Sequence, residues 1–139
     1  MFTVGEFMTS EPYALRESDT LHDARKFMTE KHIRHIPITD NDDHLLGLVS
    51  QRDILAATVP DQFEEHDADI ALSDIMIRNV SVMHRSDSLR RAAKYLQEHK
   101  YGCLPVVSHD KVVGIITDSD FMEIAINLLE QAELLEDEL

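Results

Sequence analysis

The sequence has few of the residues on which several common protein classes depend. It contains a single cysteine, Cys103, so it can form no intramolecular disulfide, as is usual in a reducing compartment. No apolar run is long enough to span a membrane, and no basic-then-apolar signal peptide opens the chain. We therefore expect a soluble cytoplasmic protein, and 139 residues suffice for about one domain.

Cations are also scarce. Lys and Arg number 13 against 27 Asp and Glu, which gives a formal net charge of −14 at pH 7. Proteins that bind nucleic acids or anionic membranes use basic surfaces that displace counterions from phosphates. The composition supplies no such surface, so we expect neither a nucleic acid nor a membrane as a partner.

The usual signatures of catalysis are missing as well. Ser50 and Thr117 have no histidine and carboxylate in a recognisable triad arrangement, and there is no glycine-rich phosphate loop. Cys103 lies close to a proline in an apolar segment and is expected to be buried, where a thiol is a poor nucleophile. We therefore do not expect an enzyme.

Two groups of potential metal ligands have simpler interpretations. His32 and His35 lie three residues apart with no third ligand clustered near them, so we interpret them as structural or surface histidines. Asp40–Asp43 resembles a calcium loop, but His44 and Leu45 stand where a ligand and the required glycine should be, and no Glu follows at the right spacing. We interpret this stretch as a hairpin turn and predict no metal site.

What the sequence does contain is an internal repeat. Three segments recur in order, the first two 68 positions later and the third 67 positions later: 18–21 (SDTL) at 86–89 (SDSL), 36–38 (IPI) at 104–106 (LPV), and 47–53 (GLVSQRD) at 114–120 (GIITDSD). A repeat that keeps its register and loses one residue in a polar turn is a duplicated structural unit. Each unit is too small to bury a good core alone, so we expect the two to pack on each other.

Each unit is predicted to fold as β-α-β-β-α. Apolar residues at helical spacing predict helices that begin near Thr20 and Ser88, whose hydroxyls can cap them. The triplets around Pro37 and Pro105 predict short edge strands, because proline cannot donate to a strand ladder. The remaining strands are predicted at 45–50 and 112–117 and, as short pieces, at 13–15 and 81–83.

The predicted organisation is repeat 1 at 1–58, an acidic linker at 59–71, repeat 2 at 72–125 and an acidic C-terminal helix or tail at 126–139. Residues 60–67 are acidic and turn-like, and we expect them to form an exposed loop. The C-terminal helix carries apolar residues that include Ile124, Leu128, Leu129 and Leu135. It either covers the core and frays at its end or docks on a second copy of the chain.

The repeated residues resemble a pair of CBS domains, the modules named for cystathionine β-synthase. Two features carry the resemblance, and both occur twice: the motif Gly-apolar-apolar-Ser/Thr-x-x-Asp and the apolar-Pro-apolar strand before it. A methionine step also opens each unit, at Met8-Thr9 and Met76-Ile77. The resemblance covers about residues 4–58 and 72–125. It implies an α+β fold in which two β-α-β-β-α CBS repeats pack through their sheets with pseudo-two-fold symmetry.

The resemblance also implies a regulatory module that binds an adenosine-containing ligand, such as AMP, ADP, ATP or S-adenosylmethionine, with no catalytic cofactor. A carboxylate at a helix start can accept hydrogen bonds from both ribose hydroxyls, and N–H groups at the helix N-terminus suit a phosphate. Aliphatic walls beside the proline strand suit an adenine ring. Pairs of this family commonly form homodimers, and a free-standing pair needs an effector protein on which to act.

In the family, each cleft combines the Ser/Thr-x-x-Asp motif of one repeat with the opening segment and proline strand of the other. The cleft predicted to be stronger consists of Thr9, Tyr13, Ala14, Arg34, His35, Ile36, Pro37, Thr117, Ser119 and Asp120. The weaker cleft consists of Ser50, Arg52, Asp53, Ile77, Ser81, Val82, Gly102, Cys103, Leu104 and Pro105. The first is ranked higher because Arg34 and His35 can bind a phosphate, whereas the second has Ile77 in place of Thr9.

Other interpretations stay open at this point. Asp53 and Asp120 can simply cap helices, and Arg34 and His35 can lie in a solvated turn. The chain can also be a protein-interaction module with vestigial ligand clefts, or a divalent-cation (Mg²⁺) sensor that uses its acidic surface.

Overall fold

A computed structural model describes residues 1–58 and 67–138 of the chain. Its helices are α1 (Val4–Phe7), α2 (Leu21–Lys31), α3 (Gln51–Ala57), α4 (Leu89–His99) and α5 (Asp118–Glu138). Its strands are β1 (Thr9–Ser10), β2 (His35–Thr39), β3 (Leu45–Ser50), β4 (Cys103–Ser108) and β5 (Lys111–Thr117), and a 3-10 turn covers Leu72–Asp74. From α2 and from α4 onward, both repeats run helix, strand, strand, helix, and the predicted α+β class is confirmed.

Helices α2 and α4 each begin at the hydroxyl residue that the sequence indicates. Thr20 and Asp23 form a reciprocal capping box at the start of α2. At the start of α4, the side chain of Ser88 accepts a hydrogen bond from the backbone N–H of Arg91. These bonds satisfy N–H groups that the first helical turn leaves without partners. The predicted apolar stripes then face the core, with Leu21, Ala24 and Met28 buried in α2 and Leu89, Ala92 and Leu96 in α4.

Each repeat contributes one antiparallel hairpin, β2 with β3 and β4 with β5. The prolines lie inside their strands: the carbonyl of Pro37 accepts from the N–H of Leu15 at 3.1 Å, and that of Pro105 from Met83 at 2.9 Å. The backbone carbonyl of each proline therefore points away from the partner strand of its hairpin. A backbone N–H at this residue would point the same way, so its absence costs the hairpin no hydrogen bond. The strands predicted at 13–15 and 81–83 reduce to single bridges at Leu15 and Met83, because only one residue of each segment pairs.

The two repeats exchange their opening segments. Strand β1 pairs with β5 of repeat 2, which places Thr9 opposite Ile115. In the same way, Ile77 forms a two-bonded bridge to Leu48 of repeat 1, with N···O distances of 2.9 and 3.0 Å. Each opening segment therefore becomes part of the sheet that carries the other repeat's motif.

The glycine that begins each motif makes room for this exchange. A Cβ atom on Gly47 would lie 2.8 Å from the sulfur of Met76, and one on Gly114 would collide with the sulfur of Met8. Real Cβ atoms do not approach other heavy atoms this closely, so any larger residue would push the methionine out. The motif glycine and the opening methionine thus form a matched pair across the repeats.

Two larger apolar cores stabilise the fold, together with one small apolar cluster at the joint between the repeats. The core of repeat 1 includes Leu72 and Met76 from the chain that follows the linker, and the core of repeat 2 includes Val4 from the N-terminus. The joint between the repeats is a small buried cluster of Leu48, Cys103 and Ile115. Burial of apolar surface in all three clusters drives the two units together, as expected for repeats that cannot bury enough surface singly.

The end of the predicted linker is packed rather than exposed. Residues 59–66, and with them most of the loop predicted at 60–67, lie outside the described part of the chain. Asp67 was expected to be exposed, but only 1% of it is accessible, and its Oδ2 lies 2.8 Å from Nε of Arg25. The expectation was wrong for Asp67 because an arginine on α2 supplies a partner for the buried carboxylate.

The C-terminal helix is longer and more exposed than expected. Helix α5 runs unbroken from Asp118 to Glu138, so the predicted boundary at 125/126 falls inside it. Phe121 and Ile124 pack against the core of repeat 2, whereas Leu128 and Leu135 are 55% and 63% exposed. A core-covering role beyond Ile124 was therefore wrong. Among the described residues, no helix combines the length and apolar character that a membrane crossing needs.

Candidate functional site

A cavity of about 650 Å³ opens between the two repeats. Its volume lies within the range of small-molecule and cofactor sites. Of the cleft predicted around Asp53, it includes Ser50, Arg52, Asp53, Ile77, Ser81, Gly102 and Cys103. It also includes Arg34 and His35, which sequence reasoning placed in the other cleft. The described cavity thus lies on the side that the sequence ranked second.

Some predicted residues of this cleft do not line the cavity, and others were missed. Leu104 and Pro105 are buried in the core of repeat 2, and Val82 is not among the lining residues. The lining residues that sequence reasoning missed are Leu48, Gln51, Leu55, Asn79, Val80, Lys100, Tyr101 and Asp118. Most of these flank predicted residues in the chain, and this adjacency is the signal that could have identified them.

Asp53 presents one free carboxylate oxygen. Its Oδ2 accepts hydrogen bonds from the backbone N–H of Ser50 at 2.8 Å and from the hydroxyl of Ser50 at 2.9 Å. These bonds fix the carboxylate at the start of α3, where it completes a capping box. Its Oδ1 has no hydrogen-bond partner within residues 1–58 and 67–138, so it can accept from a ligand in the cavity.

Asp120 has the same cap but no free oxygen. Its Oδ2 accepts from the backbone N–H of Thr117 at 2.8 Å and from the Thr117 hydroxyl at 3.2 Å. Its Oδ1 accepts a further hydrogen bond, at 3.3 Å, from the hydroxyl of Thr9. Ile77 stands at the equivalent place opposite Asp53 and has nothing to donate. The substitution that lowered the rank of the Asp53 cleft therefore leaves its carboxylate available.

The structure brings together part of the cleft predicted around Asp120. Besides the contact of Thr9 with Asp120, the guanidinium of Arg34 lies 3.4 Å from the hydroxyl of Ser119. Tyr13 is half exposed and packs edge-on against Phe27 of α2. Ala14 is partly buried, while Ile36 and Pro37 are buried in strand β2. No hydrogen bond, ion pair or ring contact joins these last four residues to the motif within the described part of the chain.

His35 lies between the two motifs and packs against Gly102. A Cβ atom on Gly102 would be only 2.9 Å from Nε2 of His35, so the glycine provides the space for the imidazole. Burial is the largest influence on the pKa of His35 and lowers it. The negative charges of Asp118 and Asp53 raise this pKa, and the positive charge of Arg34 lowers it. The imidazole is therefore neutral near pH 7 and can form a hydrogen bond without adding positive charge.

The charged side chains of the cavity differ in whether they are paired. Arg34 lies 3.6 Å from the carboxylate of Asp118. Arg52 and Lys100 make no ion pair within residues 1–58 and 67–138, which leaves them available to an anion. Burial raises the pKa of the Cys103 thiol far above its ordinary value, and Asp120 and Asp118 act in the same direction. This thiol is therefore a poor nucleophile, and it serves as an apolar part of the cavity wall.

The acidic stretch after β2 forms the hairpin turn that the sequence predicts. The ligand atoms of Asp40, Asp42 and His44 lie within 4.8 Å of one another. However, the carboxylate of Asp40 already accepts hydrogen bonds from the backbone N–H groups of Asp42 and His44 and lies 3.0 Å from Nδ1 of His44. These contacts account for the cluster as the framework of the turn.

A family model for the CBS domain matches residues 4–59 and 72–127, one match for each repeat. The chain belongs to the CBS-domain family. The predicted resemblance is thereby confirmed.

Solved structures of similar CBS pairs cover nearly the whole chain. A protein from Vibrio cholerae that carries the name acetoin utilization protein (AcuB) is 46% identical, with a TM-score of 0.84 over 96% of both chains. CBSX2 in complex with AMP is 29% identical, with a TM-score of 0.81 over 92% of this chain and 98% of that chain.

Other relatives carry such a pair within a longer protein. The homoserine O-acetyltransferase of Methanocorpusculum labreanum is 34% identical over 83% of this chain, which spans 22% of that protein. This CBS pair therefore corresponds to a minor part of that enzyme's length.

Proposed function

We propose that this CBS pair is a regulatory module that binds an adenosine-containing nucleotide in the cavity at Asp53. The observation that carries the proposal is the free Oδ1 of Asp53 in a cavity of about 650 Å³. An ionised carboxylate oxygen without a partner is a strong acceptor for the hydroxyls of a ribose. The structure of CBSX2, which is 29% identical and in complex with AMP, supports this class of ligand.

The remaining walls fit the other parts of such a ligand. Ile77, half exposed, and Val80 form an apolar surface suited to an adenine ring. Arg52 and Lys100 supply cations for a phosphate, and the neutral His35 can add a hydrogen bond. The net charge of −14 does not oppose this, because exposed carboxylates beyond about 8–10 Å are screened at cellular salt.

Isothermal titration of AMP tests the proposal with a matched pair of variants. Asp53→Asn keeps the size of the side chain but removes the charge, and it should weaken AMP binding by at least about tenfold. Asp137→Asn removes the same charge at an exposed position of α5 and should leave AMP binding unchanged. Unaltered binding in Asp53→Asn would contradict the placement in this cavity. Loss of binding in Asp120→Asn instead would favour the cleft that the sequence ranked first.

We propose that two copies of the chain associate. Leu55 on α3 and Met122 on α5 occupy equivalent positions of the two repeats, and they are 63% and 65% exposed. A pseudo-symmetric pair of apolar residues suits the self-complementary contact of a two-fold dimer.

The identity of 46% to the Vibrio cholerae protein makes acetoin utilization the first process in which to search for an effector protein.

Two other functions make different predictions. A protein-interaction module would bind no nucleotide, and a Mg²⁺ sensor would respond to the cation in the absence of any nucleotide. A thermal-shift screen of AMP, ATP, S-adenosylmethionine and Mg²⁺ separates them, since a ligand at 100 times its Kd adds about 2.7 kcal/mol to the free energy of unfolding. The cytoplasmic location stays a prediction from the sequence.

A further inference from the structure

Asp118 places a negative charge in the cavity, next to the cation Arg34. It is the first residue of α5, and it lines the cavity together with Arg34 and His35. Its Oδ1 lies 3.6 Å from a terminal nitrogen of Arg34. The equivalent residue in repeat 1 is the neutral Gln51, so this charge occurs in only one of the two motifs.

The charges of the cavity limit the anion that it can accept. Asp118 partly neutralises Arg34. The cavity is also lined by the cations Arg52 and Lys100, and neither makes an ion pair inside residues 1–58 and 67–138. Asp53 and Asp118 add two carboxylates to the same cavity. Two cations can meet a single phosphate. Every further phosphate would add negative charge to a cavity that already contains these two carboxylates, and like charges at short range repel.

The pair of Arg34 and Asp118 is not needed to hold the fold together. Both side chains are 57% exposed, and ion pairs this exposed contribute little to stability. A change at Asp118 should therefore leave a folded protein, in which differences in ligand affinity report on the cavity itself. The exposure also means that a ligand phosphate can reach Arg34 only in competition with Asp118.

We propose that Asp118 sets the charge of the ligand, so that the cavity selects an adenosine compound with at most one phosphate over ATP. This inference rests on the proposed function and adds a residue that determines specificity. Asp118 acts by repelling the additional phosphates and by occupying Arg34, the cation that would otherwise bind them.

Calorimetric titration of AMP and ATP without Mg²⁺ tests this, because the metal would mask the charge of the triphosphate. The wild type should bind AMP more tightly than ATP. Asp118→Asn should lower the ratio of the ATP Kd to the AMP Kd by about tenfold, or about 1.4 kcal/mol. Asp118→Glu keeps the charge and should retain the wild-type ratio. Asp137→Asn removes a charge about 28 Å away along the same helix and should retain it too.

The outcomes separate this inference from the proposed function. If the wild type binds AMP but Asp118→Asn leaves the ratio unchanged, or Asp137→Asn lowers it equally, the inference is wrong and the proposed function stands. If the wild type binds neither AMP nor ATP, both are wrong. A wild-type preference for ATP would also overturn the inference.

Discussion

The hydroxyl of Thr9 donates a 3.3 Å hydrogen bond to Oδ1 of Asp120, and this bond joins the opening segment of repeat 1 to the motif of repeat 2. Its counterpart in the other half of the molecule is missing, because Ile77 replaces the threonine opposite Asp53. The exchange of a hydroxyl for an aliphatic side chain thus gives the two motif carboxylates of a duplicated fold different hydrogen-bond partners. Both carboxylate oxygens of Asp120 accept hydrogen bonds from the protein, whereas Oδ1 of Asp53 has no partner within residues 1–58 and 67–138.

Restoring that hydroxyl should occupy the free oxygen of Asp53. Ile77→Thr is expected to let residue 77 donate to Asp53 as Thr9 does to Asp120, in competition with the ribose. It also removes part of the apolar wall. A hydrogen bond of about 1 kcal/mol corresponds to roughly fivefold weaker AMP binding, measurable by titration calorimetry. Ile77→Val is the control, since it has the shape of threonine without the hydroxyl. Equal affinities for the two variants would contradict the competition.

The pairing of the motif glycine with the opening methionine predicts a rescue. Gly114→Ala should lower the free energy of unfolding by about 1–3 kcal/mol, because the new Cβ collides with Met8. Met8→Ala in the same chain should relieve the collision, so the double variant should be more stable than the sum of the single changes allows. Urea unfolding of the four proteins measures the coupling. Strict additivity of the two changes would show that the contact does not limit stability.

Local patterns predicted much of this fold because they depend on neighbouring residues. The caps at Thr20 and Ser88 and the strands around Pro37 and Pro105 follow from a few adjacent side chains each. Of the features that depend on distant partners, the family resemblance predicted that each motif meets the opening segment of the other repeat, as Thr9 does with Asp120. Other long-range features were not predicted.

Asp67 is buried because Arg25, 42 residues away, pairs with it. Asp118 and Lys100 line the cavity through packing of the repeats, although Asp118 stands at a variable position of its motif and Lys100 lies outside the motifs. The resemblance grouped Ile77 with Asp53, but the hydrogen bonds of the structure are needed to see that this leaves Oδ1 of Asp53 without a partner among the described residues.

The neutral state of His35 predicts a dependence of stability on pH. Burial lowers the pKa of His35 in the folded protein from the ordinary value of 6.5. As the pH decreases below about 6.5, the unfolded chain binds a proton at this residue while the folded protein does not. The free energy of unfolding therefore decreases with decreasing pH in this range. The loss ends once the pH has passed the lower pKa of the folded state.

Urea unfolding at pH 7.5 and pH 5.5 measures this effect. His35→Gln keeps a hydrogen-bonding side chain without the titration, so the variant should lose less stability than the wild type between the two pH values. His109→Gln, at an exposed turn, should lose as much as the wild type. If wild type and His35→Gln lose stability in parallel, His35 does not take up the proton differently in the two states.

The exposed apolar residues Leu55 and Met122 predict how the proposed dimer responds to charge. Replacing both with Glu would place four carboxylates in a two-fold interface, where they would be desolvated without partners. The double variant should therefore elute as a monomer of 15.9 kDa in size-exclusion chromatography with light scattering, whereas the wild type should have about twice that mass.

Gln97→Glu adds a charge at an exposed position of α4 and should leave the dimer intact. A wild type that is monomeric at all concentrations would refute the dimer itself. A double variant that stays dimeric would show that the two copies meet elsewhere. The remaining exposed apolar residues of α5, Leu128 and Leu135 among them, would then be the next surface to change.

Helix α5 contains eight carboxylates and no cation, so contact between two such helices should weaken at low salt, where their repulsion is least screened.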